Sequence, residues 1–124
     1  MDTEQVSNRT VPLVRYLRAH GHPHTPIVLA EGTPTPGDWL ANSVTGDWSN
    51  SKNDALRTAF DSLAPVDQNL YYVSAEKLFR YKLTKLVNPT VCGVHPGDLG
   101  QYEISNFYVS FLSQILNKTS APSY

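Results

Sequence analysis

His95 stands in the run Cys92-Gly93-Val94-His95-Pro96-Gly97-Asp98, an imidazole set between two glycines and followed at once by proline. With an unperturbed pKa of about 6.5, an imidazole takes and returns a proton near neutrality. That is the chemistry of a general base, provided a nucleophile and a group that orients the ring lie within reach. Cys92, three residues earlier, is the nearest nucleophilic side chain. A Cys92–His95 pair would need converging side chains and oxyanion donors, and the sequence shows neither, so an inert thiol is the simpler account. Asp98, three residues later, could orient the ring. It opens a strongly periodic helical segment, however, and a helix-capping role explains it more simply.

Three other groups have the right chemistry. His20, His22 and His24 alternate in His20-Gly21-His22-Pro23-His24, a spacing that can bind Zn²⁺ or Ni²⁺ on one side of an extended segment. No carboxylate or cysteine lies nearby to complete a metal site, so a surface turn is expected and no metal or cofactor is implied. Glu31 falls at the carboxyl end of an apolar strand and is a candidate supporting residue behind the reacting groups. Trp39, Trp48, Tyr71, Tyr72 and Tyr81 could line an acyl or sugar pocket at strand ends, or could equally be packing residues.

These residues need elements to hold them. Asp2 caps a helix expected from about Thr3 to Ala19, with Gln5 completing a capping box and Val6, Thr10, Leu13, Val14 and Leu17 on one face. Pro12 should kink that helix or delay its start. Pro26 to Glu31 reads as a strand buried on both faces. Gly32 to Asn50 is rich in breaks and reads as a long loop. A helix is expected from about Ser51 to Leu63, burying Ala55, Leu56, Ala59, Phe60 and Leu63, then a strand over Leu70 to Val73. Ser74 to Phe79 reads as one helical turn and Arg80 to Gly97 as an irregular loop. A last helix, capped by Asp98 with Gln101 three residues on, runs to about Asn117 with Ile104, Tyr108, Phe111, Leu112 and Ile115 on one face.

Strands alternating with helices imply an α/β domain with parallel pairing. Two strands make a poor sheet, and an unpaired apolar edge invites self-association. At 124 residues the chain makes at most one small domain. A formal net charge of -1 supplies no electrostatic argument for nucleic acid or an anionic membrane, and neither is expected as a partner. No run approaches a membrane span, and Met1-Asp2-Thr3-Glu4-Gln5 lacks signal-peptide character. One cysteine excludes an intrachain disulfide and leaves the compartment unassigned. The sequons Asn8-Arg9-Thr10 and Asn117-Lys118-Thr119 are common chance triplets.

The His95 block resembles the C-terminal block of the SGNH (GDSL-type) hydrolases, Asp-x-x-His-Pro followed by a glycine. Arg9-Thr10-Val11-Pro12-Leu13-Val14-Arg15-Tyr16-Leu17-Arg18 is similar to that family's Arg-Thr-x-Pro-Leu-Val-x-x-Leu-Arg helix. Thr25 to Glu31 is similar to its following strand, which ends in glutamate. The resemblance implies the C-terminal half of a flavodoxin-like three-layer α/β/α domain over residues 1–124, with His95 as general base of a serine esterase or acyl hydrolase acting on a small ester. It also implies that the nucleophilic serine and the oxyanion-hole glycine and asparagine lie in strands preceding this chain, leaving it inactive alone. Cys92 occupies the family's aspartate position. A neutral thiol carries no charge to stabilise imidazolium, and loss of that carboxylate can cost up to ~10⁴ in rate. The alternative is a degenerate, non-catalytic scaffold or interaction module derived from the same family.

Overall fold

The computed structural model describes residues 2–32, 44–78, 90–91 and 95–119, with the side chains of 44–50, 76, 90–91 and 118–119 left aside. The chain order is helix α1 (Thr3–Ala19), strand β1 (Ile27–Ala30), helix α2 (Val44–Leu63), strand β2 (Leu70–Val73), a 3₁₀ turn (Ala75–Lys77), short strands β3 (Thr90–Val91) and β4 (His95–Pro96), and helix α3 (Asp98–Thr119).

The capping box fixes the start of α1. Asp2 Oδ1 accepts from the Gln5 backbone N–H at 2.8 Å, and Gln5 Oε1 accepts from the Asp2 N–H at 3.2 Å. The helix therefore does not start late. It runs through Pro12, which faces solvent, so the carbonyl left without an amide partner one turn earlier can bond to water. Gly21, at φ 99, makes the turn out of α1 in a region that side chains with a Cβ avoid.

β1 and β2 pair in parallel with Ile27 opposite Leu70 and Ala30 opposite Val73. Because side chains alternate along a strand, Ile27 and Leu29 share a face with Leu70 and Tyr72. That face meets the packed pair α1 and α2 in a core of Val14, Leu63 and Leu70, with Val11 and Phe60 against it. On the other face Tyr71 meets Phe111 of α3 edge to face, ring centroids 6.4 Å apart. Helices thus cover both sides of the parallel pair, which is the α/β/α layering expected.

Three boundaries differ from the sequence-based expectation. α2 begins at Val44, so residues 44–50 are helix and not loop. Gly46, Ser49 and Asn50 look like breaks, but propensity is a weak prior, and propagation from the packed second half of α2 overrides it. Residues 33–43, with Trp39, lie outside the described residues, and Trp48 is helical with its side chain undescribed. α3 begins at Asp98 itself: the Gln101 N–H bonds to the Gly97 carbonyl at 2.8 Å. Asp98 is therefore not the cap but the first helical residue, its carboxylate facing the positive end of the helix dipole. α3 also continues to Thr119, and Leu112, 40% exposed, falls off the buried face. Finally, the stretch expected to be irregular contains an antiparallel pairing, Val91 opposite His95 and Thr90 opposite Pro96.

Candidate active site

His95 sits on β4, three residues ahead of α3. Pro96 holds the extended backbone, Gly97 turns it, and the pairing with Val91 anchors the step. The His95 side chain is exposed, and among the described residues none hydrogen-bonds to its ring. Asp98, though close in sequence, is exposed in the first turn of α3 and makes no described bond to His95. Cys92 and Tyr81 lie outside the described residues.

Glu31 immediately follows β1 and is buried, at 8% exposure. Its Oε1 accepts from Arg57 Nη2 at 2.6 Å and from the Tyr72 hydroxyl at 2.5 Å; its Oε2 accepts from the Ala75 N–H at 2.7 Å. Burial alone would raise the carboxyl's pKa. The Tyr72 and Ala75 hydrogen bonds and the Arg57 charge outweigh it, and the net shift is downward. Burial and the bond to Glu31 push the Tyr72 hydroxyl well above its ordinary value, so it stays a donor. Arg57 lies over the Tyr72 ring, 5.3 Å from its centroid. Asn53 extends the cluster, its Oδ1 accepting from the Gly32 N–H at 3.2 Å. Glu31, Tyr72 and Ala75 stand at the carboxyl end of the two strands, where parallel sheets bind ligands. The sequence singled out Glu31 but not Arg57 or Asn53. A buried glutamate demands donors, yet the partners lie 26 and 41 residues away and only the crossover brings them together.

Tyr72 also lines a shallow pocket of about 190 Å³ with Lys77, Phe107, Ser110, Phe111 and Gln114, between the end of β2 and α3. Tyr71 is a packing residue against Phe111. The described residues record no hydrogen bond or ion pair joining the Glu31 cluster to His95. The alternate histidines do not converge: the His20 ring stacks on Tyr16 at 3.9 Å, and His22 Nδ1 lies 3.5 Å from Thr25 Oγ1. Among the described residues no group of three His, Cys, Asp or Glu side chains could hold a metal ion, and no helix is long and apolar enough to cross a membrane.

Comparison with known proteins places this geometry. A family model described as GDSL-like lipase/acylhydrolase matches residues 1–113. Among solved structures, the chain is similar to a Bacteroides ovatus protein described as a GDSL-like lipase, with 26% identity and a TM-score of 0.77 over 94% of this chain and 33% of that one. It shares its fold with the salicylyl-acyltransferase SsfX3 of a tetracycline biosynthetic pathway, at 17% identity and a TM-score of 0.69, over 91% of this chain and 33% of that one. No curated protein matches. The chain spans about a third of the length of each of these two structures.

Proposed function

The chain belongs to the GDSL-like lipase/acylhydrolase family, and from that premise we propose that it is the C-terminal part of a serine ester hydrolase domain with His95 as general base. The observation that carries this is the family match across residues 1–113, which includes an exposed His95 on β4, directly ahead of α3. In the completed domain the imidazole takes the proton of a serine hydroxyl as the oxygen attacks an ester carbonyl. It then delivers that proton to the departing alkoxide, and repeats the cycle with water to release the acid. The serine and the oxyanion donors come from the portion of the domain that precedes these residues, so the chain alone does not hydrolyse esters. Among the described residues the outer edge of β1 is unpaired, and on this reading the next strand of the sheet lies there.

Cys92 at the aspartate position favours a second reading, a scaffold that has lost catalysis. One experiment separates the two. The N-terminal portion of a GDSL-like lipase is supplied, fused or in trans, and hydrolysis of a short-chain aryl ester is followed with native His95 and with His95→Ala. Loss of at least about 10²-fold in rate on substitution, the usual scale of general-base catalysis, supports the hydrolase. A correctly assembled domain with no hydrolysis in either form supports the scaffold.

A further inference from the structure

Asp98 keeps a charge for which the described residues provide no partner. As the cap of α3 its side chain would be committed to the first amides of the helix. Gly97 holds that place instead, its carbonyl accepting from the Gln101 N–H at 2.8 Å, and Asp98 is the first helical residue. The Asp98 side chain is exposed, and among the described residues none hydrogen-bonds to it or pairs with it. His95 stands at the other end of the same turn, exposed and with no bond to either ring nitrogen among the described residues. Two intervening residues hold their Cα atoms within about 11 Å of one another, and β4 packs against α3.

A general base of this kind works best when its ring is held. An acceptor on Nδ1–H fixes the tautomer that leaves the Nε2 lone pair free, and its negative charge stabilises the imidazolium as the proton arrives. Cys92, three residues before His95, offers a neutral thiol and no charge. β3, which pairs with β4, carries only Thr90 and Val91. Along α3, Asp98 is the carboxylate of the first turn, and Glu103 lies beyond that turn. We propose that Asp98 is the positioning residue of His95, an inference that rests on the reading of His95 as general base. The Asp98 carboxylate accepts from Nδ1–H while Nε2 faces the serine. It stays ionised when Nε2 takes the hydroxyl proton, and no proton passes to it. Catalytic hydrogen bonds often tighten only once a site is complete, and the exposure of both side chains leaves them room to turn toward each other. The acid three residues ahead of the base is thus replaced by one three residues behind it.

Ring-nitrogen NMR of the full chain reads the pairing without any need for hydrolysis, the His95 signal being the one that His95→Ala removes. The neutral ring should carry its proton on Nδ1 in the native chain and move it toward Nε2 in Asp98→Asn, with Asp98→Glu staying near native. In the domain completed by an N-terminal portion, Asp98→Asn should lower kcat for a short-chain aryl ester at least about tenfold with KM unchanged, and Asp98→Glu should recover most of the loss. A carboxylate that serves only the helix dipole would lower the thermal midpoint in Asp98→Asn and leave the tautomer alone. That result overturns the proposal. So does a completed domain in which His95→Ala abolishes hydrolysis while Asp98→Asn keeps the native kcat, an outcome that spares the general base. If His95→Ala changes nothing in an active domain, the general-base reading itself falls and this inference with it.

Discussion

Glu31 shows how one buried carboxylate can organise the end of a sheet. It closes three contacts at once, to Arg57 on α2, to Tyr72 on β2 and to the Ala75 N–H that opens the 3₁₀ turn. The buried Ala75 N–H depends on this acceptor, while Arg57 keeps about half of its side chain in water. Glu31→Gln keeps the shape but removes the charge facing Arg57 and turns one acceptor into a donor aimed at the Ala75 N–H or its neighbours. We expect a loss of about 2–4 kcal/mol in urea unfolding at neutral pH. The pH dependence has a definite sign. The folded carboxyl titrates below the ordinary glutamate value of about 4.3, so its stabilisation is complete above that value and drains as pH falls through the lower folded value. The difference in stability between native chain and Glu31→Gln should therefore be constant from neutrality to about pH 5 and shrink below it. A difference that grows in acid would mean the carboxyl is not held ionised by these donors.

Arg18 connects several elements at once. Its Nε and Nη2 form a two-pronged bond to Asp67 at 2.8 and 3.1 Å, while Nη1 donates to the carbonyls of His22 and Thr25 at 2.8 and 2.7 Å. One guanidinium thus ties the last turn of α1, the turn into β1 and the turn into β2, with both side chains of the ion pair under 20% exposed. Lysine brings a single nitrogen and cannot span these acceptors. Arg18→Lys should cost about 1.5–3 kcal/mol and lose little of that effect in high salt; a change within noise would make the cluster a surface decoration. The contrast with the sequence is instructive. The start of α1 and both strands were legible, because the capping box and the apolar runs are local signals. The start of α2 was not, because Gly46, Ser49 and Asn50 mimic a loop when read apart from the packed turns that extend through them. That His95 directly precedes the last helix was legible for the same local reason, but its strand pairing with Val91 was not, and the partners of Arg18 and Glu31 are products of chain crossing. Nothing in residue spacing pairs Arg18 with Asp67, 49 residues on.

At the scale of the whole molecule, the chain supplies about a third of the length of the structures it resembles. Among the described residues its parallel sheet has two strands, each with an unpaired outer edge, and the largest fully buried side chain is a valine, Val73. Parallel strands are ordinarily buried within larger sheets, and two alone are marginal. If the proposed assembly with an N-terminal portion is right, that portion binds the folded chain and not the unfolded one. Stability then rises with its concentration by mass action, by about 2.7 kcal/mol at a hundredfold excess over Kd. For a chain of this size that raises the thermal midpoint by roughly 8–15 °C. Circular dichroism melts of the chain with and without the N-terminal portion give the two values needed. A midpoint that ignores the added portion would sink the completed-domain reading.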